Sequence, residues 1–216
     1  MPLELPGPIG TLRRFRAGVS PGARFGNVSD TMTSQLRLQL SVGILHAGGV
    51  LACPTEAVWG LSADPFDEGA VQRILALKRR PVAKGLILVA SSMSQLDFLL
   101  RGLSDGKLKK LQASWPGPNT WLIPHHGRVP HWVHGEHATV AVRVSAHPTV
   151  SALCDLWGGP LVSTSANPGG SQPPRELFQV IRYFGHRLDG IVPGTTGTST
   201  RPSLIRDLET DRVIRA

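Results

Sequence analysis

The stretch Leu77-Lys78-Arg79-Arg80-Pro81-Val82-Ala83-Lys84-Gly85-Leu86-Ile87-Leu88-Val89-Ala90 joins three kinds of chain within fourteen residues. Upstream, Asp67 caps a helix that carries Val71, Ile74, Leu75 and Leu77 at helical spacing. That helix must end before Pro81, because the proline ring disfavours the α conformation in the residue preceding it. Downstream, Leu86–Ala90 is an unbroken apolar run, the pattern of a strand covered on both faces. A helix that turns through a short loop into such a strand is a unit of an α/β fold.

Working outward, the same alternation recurs. Leu36, Leu40, Ile44 and Leu45 predict a helix stopped by Gly48-Gly49, and Val50–Cys53 predicts a buried strand closed by Pro54. Ser92–Leu99 and Asp105–Trp115 read as helices, and Thr120–Ile123 and Thr139–Val144 as strands. Pro148 opens a helix through Trp157, since proline is tolerated in a first turn. Pro160–Ser163 is a strand, Pro174–Phe184 a helix and Leu188–Val192 a strand; Ser203–Ile205 and Arg212–Ile214 close the chain as two short strands around a turn. The expectation is one α/β domain over residues 34–216, with a twisted, mixed central sheet covered by helices. Residues 1–33 differ: Pro2, Pro6, Pro8 and Pro21 alternate with Gly7, Gly10, Gly18 and Gly22 around Arg13, Arg14 and Arg16. Such punctuation predicts a flexible leader without a catalytic role.

Composition narrows the function. Lys+Arg 23 against Asp+Glu 15 gives a net charge of +8, which favours an anionic partner. Cys53 and Cys154 lie in apolar runs and are too few for a disulfide framework or a four-cysteine metal site; they read as buried thiols. No apolar run approaches the roughly 20 residues that cross a bilayer, and the N-terminal stretch lacks a secretory h-region. A cytoplasmic enzyme or binding protein is expected. Neither a G-x-x-x-x-G-K-[ST] nor a G-x-G-x-x-G motif occurs, which disfavours P-loop and Rossmann sites. His125, His126, His131, His134 and His137 share one Pro/Gly-rich segment that reads as a solvated connection rather than a metal site, and no metal ligands are assigned.

Four segments carry the chemistry. Thr55 and Glu56 emerge where the first strand ends, a place where open α/β sheets hold ligands. Lys78, Arg80 and Lys84 sit in a proline-stiffened loop that runs into the sheet, which suits a fixed phosphate; Arg79 faces either the same anion or solvent. Arg143, in the middle of the apolar strand Thr139–Val144, cannot be buried unpaired. It makes either an internal salt bridge or a fork for a substrate carboxylate, on the face it shares with Thr139 and Ala141. The run Ser163-Thr164-Ser165-Ala166-Asn167-Pro168-Gly169-Gly170 offers hydroxyl, amide and backbone donors to oxyanions. The later run Gly194–Ser203 repeats the theme with Arg201.

In their order these segments resemble the YrdC/TsaC family, the threonylcarbamoyl-AMP synthases. The residues that carry the resemblance are Pro54-Thr55-Glu56-Ala57-Val58-Trp59-Gly60, Lys78-Arg79-Arg80-Pro81 with Lys84-Gly85-Leu86, and Trp115-Pro116-Gly117-Pro118-Asn119-Thr120. They continue with Ala141-Val142-Arg143, His147-Pro148, Ser163-Thr164-Ser165-Ala166-Asn167 and Arg201-Pro202-Ser203. The resemblance is to the short, single-domain form. It implies a mixed α/β sheet around a basic cavity. The implied reaction turns L-threonine, bicarbonate or CO2, and ATP into threonylcarbamoyl-AMP and pyrophosphate, for N6-threonylcarbamoyladenosine in tRNA. By the same resemblance Thr55, Arg143 and Ser203 would bind threonine. Lys78, Arg80 and Lys84 would be catalytic and, with Thr139, Ser163, Ser165, Asn167 and Arg201, would face ATP; Mg2+ is expected with the nucleotide. A transient contact with tRNA or with a threonylcarbamoyl transferase is implied, and no membrane. Because a carbamate is labile in water, the pocket should close under a mobile cover, either Lys78–Lys84 or Gly194–Arg201. The competing readings are a non-catalytic protein that offers the same cavity to structured RNA, and a structural protein with internally paired arginines.

Overall fold

The computed structural model describes residues 28–215. Most of the expected leader, residues 1–27, lies outside that range. Helix α1 runs Val28–His46 and so includes the last six residues of the expected leader. The stop is as read, with Gly48 at φ +73 and the Gly49 N–H returning to the Ile44 carbonyl at 2.9 Å.

Among the described residues nine strands form one mixed sheet. They are β1 (Leu51–Pro54), β2 (Trp59–Ser62), β3 (Ile87–Ala90), β4 (Asn119–Pro124), β5 (Thr139–Val144), β6 (Leu161–Ser165), β7 (Gly190–Ile191), β8 (Leu204–Asp207) and β9 (Val213–Arg215), in the spatial order β7-β1-β2-β6-β3-β5-β4-β8-β9. The strand read as doubly covered, β3, lies at the centre, parallel to β5 and antiparallel to β6. Its alternate side chains feed two cores. Leu88 and Ala90 join the larger one, while Val89 joins a smaller one with Leu45, Cys53, Val150, Leu153 and Leu161. Helix α2 (Glu68–Lys78) supplies Val71, Ile74 and Leu75 to the larger core, and helix α6 (Pro148–Trp157) backs the smaller one. Replacing the fully buried Leu88 by alanine would cost about 2–5 kcal/mol, from lost transfer energy plus a cavity.

Several elements depart from expectation. A strand that the sequence reading did not include follows Pro54: β2 pairs antiparallel with β1, Cys53 opposite Gly60, around a turn closed by the Thr55 N–H on the Val58 carbonyl. Both strands are four residues long and buried throughout, so no polar alternation announces β2. The expected strand Leu188–Val192 shortens to β7. The expected helix from Pro174 begins at Leu177 as α7 (Leu177–Phe184), after a capping box between Glu176 and Gln179. Ser92–Leu99 divides into a 3-10 turn and the short α3 (Asp97–Leu100), whereas α4 (Asp105–Ser114) forms nearly as read. The histidine segment is more than a solvated connection. His131–His134 is a helical turn, α5, with Val133 buried, and the Val133 carbonyl accepts the Leu86 N–H at 2.8 Å. Cys53 and Cys154 are free buried thiols; burial pushes both up, Cys154 to about 12.

Candidate active site

A cavity of about 430 Å3, within the range of small-molecule pockets, opens over the sheet. Separate stretches of chain converge on it: the β1–β2 turn, the loop from α2 into β3, the end of β5, the end of β6 with the loop after it, the segment before β8, and β9. Its wall carries Lys78, Arg79, Arg80 and Lys84 from one loop, Arg143 from β5, Arg201 from the segment before β8 and Arg215 from β9. One carboxylate, Glu56, faces these seven cations.

Lys78, on the last turn of α2, is 4% exposed. Its Nζ donates to the Asn167 carbonyl at 2.9 Å and to the Ser165 carbonyl, which ties the helix to the loop after β6. Burial, reinforced by the Arg80 charge, lowers its pKa from 10.5 to about 8. Arg79 ends the helix in the left-handed region at φ 50, and the chain then turns tightly about the Arg80 guanidinium. The Nε and Nη2 of Arg80 donate to the Gly85 carbonyl at 3.0 and 2.8 Å, and Nη2 also donates to the Lys84 carbonyl. Burial and the Arg215 charge both lower the pKa of Arg80. A side chain on Gly85 would put a Cβ 3.0 Å from the His134 carbonyl, and one on Gly135 would put it 2.6 Å from the carbonyls of Val82 and Ala83. The two backbones are therefore in direct contact, and α5 braces the cationic loop.

For Arg143 the two readings of the sequence turn out to be compatible. Its Nη1 lies 2.9 Å from Glu56 Oε2, an internal ion pair, and the same side chain lines the cavity with its buried Nε unpartnered. Burial alone would raise the Glu56 pKa, but the Arg143 charge and the Ser145 hydroxyl, donating at 2.6 Å, outweigh it; the net shift is downward. Ser163, Ser165 and Asn167 also line the cavity. Asn167 Nδ2 donates to the carbonyls of Pro168 and Ser171, which leaves its buried Oδ1 without a partner. Thr55 lines the cavity while its hydroxyl donates to the Val58 carbonyl at 2.7 Å. Ser203 accepts from the Thr120 hydroxyl at 2.8 Å, and Arg201 is exposed at the rim.

One predicted site residue is not there. Thr139 opens β5 opposite Pro124 and does not line the cavity. Alternation does place it on the face of Arg143, but the two are four positions apart along the strand, roughly 13 Å. Two wall residues had no assigned role. Glu56 was in plain view beside Thr55. Arg215 gave no local signal, since it reaches the wall only through the β8–β9 register (Ile205 opposite Arg215), where its Nη2 donates to the Ser203 carbonyl at 3.0 Å.

The donor set does not make a cage for a divalent cation. Glu56 already serves Arg143 and Ser145, and among the described residues no group of three or more His, Cys, Asp or Glu side chains is placed to hold a metal. Instead His125 stacks on His134 at 3.8 Å. What the wall can do is offer donors and positive charge to several negative oxygens at once.

The Sua5/YciO/YrdC family model, described as telomere recombination, matches residues 43–216. The chain belongs to this family. Curated Sua5/YciO/YrdC relatives named threonylcarbamoyl-AMP synthase include one from Pseudomonas paraeruginosa, 55% identical over 85% of this chain and 99% of its own length. Another, from Saccharophagus degradans, is 58% identical over 83% of this chain and 94% of its own. Among solved structures, P. abyssi Sua5 complexed with L-threonine superposes with a TM-score of 0.78 at 31% identity, over 84% of this chain. This chain spans about half of that longer protein, 54%. The mixed α/β architecture is thus the family fold, and among the described residues no helix is long and apolar enough to cross a membrane.

Proposed function

We propose that the cavity makes L-threonylcarbamoyladenylate and pyrophosphate from L-threonine, bicarbonate or CO2, and ATP. The observation that carries this is the convergence of seven cations on one pocket, with Lys78 and Arg143 buried, Arg80 half-buried and the other four exposed, in a chain 55–58% identical to relatives that bear the synthase name. Lys78 and Arg143, 4% and 8% exposed, lie too deep for the backbone of folded RNA, and a small polyanion fits them better.

The chemistry needs such a wall. The threonine α-nitrogen, once its ammonium has lost a proton to solvent, adds to CO2 and sheds a second proton to give a carbamate, whose oxygen then attacks the α-phosphorus of ATP while pyrophosphate leaves. Nucleophile and electrophile are both negative, so their approach is opposed until cations offset the charge. In this reading Lys78, Arg80 and Lys84 hold the phosphates and stabilise the departing pyrophosphate, with Arg201 at the rim; Ser163, Ser165 and Asn167 bind the nucleotide. Arg143 forks the threonine carboxylate, and Thr55 and Ser203 complete the amino-acid subsite. Mg2+ enters on the phosphates, as part of the substrate. Holding three reactants in line supplies much of the acceleration, and no covalent enzyme intermediate is required. The product serves tRNA modification in the cytoplasm, through transient contact with tRNA or with the transferase that consumes it.

Purified protein given ATP, Mg2+ and bicarbonate is expected to release pyrophosphate only when L-threonine is added. Equal release with every amino acid, or none under any condition, refutes the assignment. In the same assay Arg143→Ala should raise the KM for threonine about a hundredfold while changing that for ATP far less.

A further inference from the structure

Seven cations and a single carboxylate line the cavity. The reaction accounts for the cations but leaves Glu56 only its partnership with Arg143, and the geometry allows more. Glu56 Oε2 lies 2.9 Å from Arg143 Nη1 as an ion pair without an aligned hydrogen bond, and neither that oxygen nor the buried Arg143 Nε has a hydrogen-bond partner. Donors therefore remain for a second carboxylate. The other oxygen, Oε1, accepts one hydrogen bond, from Ser145 at 2.6 Å, and a carboxylate oxygen can accept another. The residue is fixed from behind as well. Its main-chain carbonyl accepts the Ser199 N–H at 3.1 Å, and a Cβ on Gly197 would lie 2.8 Å from that same oxygen.

A free α-amino acid is a zwitterion. Its carboxylate is welcome anywhere on this wall, but its ammonium is repelled by every other charged group there. We propose that Glu56 and Arg143 form a preassembled clamp for the amino-acid zwitterion, with Arg143 taking the carboxylate and Glu56 Oε1 taking the α-ammonium. The inference rests on the threonine reading and deepens it, by giving the cavity's one acid a substrate contact. The pair is neutral, as the zwitterion is, so the other six cations remain available to the triphosphate. Orientation follows too: the nitrogen to be carboxylated is held on the Glu56 side of the pocket.

The test is a binding titration of the full-length protein, with a non-hydrolysable ATP analogue present. L-threonine is compared with β-hydroxybutyrate, which keeps the carboxylate and the hydroxyl and lacks the amine. Wild type should prefer threonine by about tenfold to a hundredfold, the worth of one charge-assisted hydrogen bond. In Glu56→Gln that preference should collapse to within about twofold, because the analogue loses nothing that threonine keeps. Glu56→Asp, which retains the charge on a shorter arm, should preserve part of it. Wild type that binds threonine no more tightly than the analogue overturns the clamp, and this arm does not depend on any variant folding. An unchanged preference in Glu56→Gln overturns it as well. Wild type that binds neither ligand refutes the amino-acid reading of the cavity itself, a distinct outcome.

Discussion

Two segments bring cations to the cavity, and they are built in opposite ways. Lys78–Gly85 is a wall. Its first and last residues are buried, Arg80 is bonded to the carbonyls of its own loop, and α5 abuts it from behind, although Arg79, Pro81 and Lys84 between them are exposed. Residues 194–203 carry Arg201 and Ser203 yet contain no buried residue. They are held by polar contacts such as Gly197 to the Thr55 carbonyl at 2.9 Å, Ser199 to the Glu56 carbonyl, and exposed Arg175 to the Ser199 carbonyl. Glycine, proline and basic residues are common to both, so composition cannot say which is fixed. Burial can: displacing the first would strip the Lys78 ammonium of its carbonyl partners, whereas displacing the second breaks hydrogen bonds that water replaces. The pocket therefore has one side anchored by buried contacts and another held by polar contacts of unburied residues.

Mutation at the wall should break this contrast most visibly. Lys78→Met removes the charge and leaves the Ser165 and Asn167 carbonyls without their donor, at a cost of about 1–3 kcal/mol in chemical denaturation. Pyrophosphate release should fall by about a hundredfold or more. A variant with near wild-type turnover would mean that the wall does not contact the phosphates.

Alkaline titration gives a smaller and more selective effect. The folded pKa of Lys78 is about 8, below its ordinary 10.5, so the ammonium is lost as pH rises through about 8. Affinity for an anion then declines, and kcat/KM for ATP should show an alkaline limb near that value. Stability moves the other way. Between about 8 and 10.5 the unfolded chain binds more protons, so this group's contribution to stability rises with pH. A limb displaced to the ordinary lysine range would remove burial as the cause.

The rim should give the least. Arg201 is exposed, so Arg201→Ala should raise the KM for ATP by no more than about tenfold at low ionic strength, and the difference should shrink as salt screens it. A salt-independent loss as large as that of Lys78→Met would place Arg201 in the wall and erase the distinction.

The site was legible where chemistry and backbone constraints share neighbouring residues. Asp67 as a cap, Pro81 as a stop and the apolar run into β3 locate the cationic loop without tertiary information. Arg143 announced itself by costing too much to bury alone, though its actual partner, Glu56, lies on a different strand's turn. Thr139 shows the limit of that reasoning: alternation assigns a face of the sheet, not a position along it.

By itself, the sequence determined the α/β alternation, the central buried strand and the cluster of basic side chains that leads into it, because helix caps, proline restriction and apolar periodicity act within a few residues. Only the tertiary structure decided that β2 is a strand, that Arg215 reaches the cavity through the β8–β9 register, and that Glu56 and Arg143 face one another. Those outcomes depend on pairing and packing between residues far apart in the chain. Local propensity carries no record of which distant strand will lie alongside.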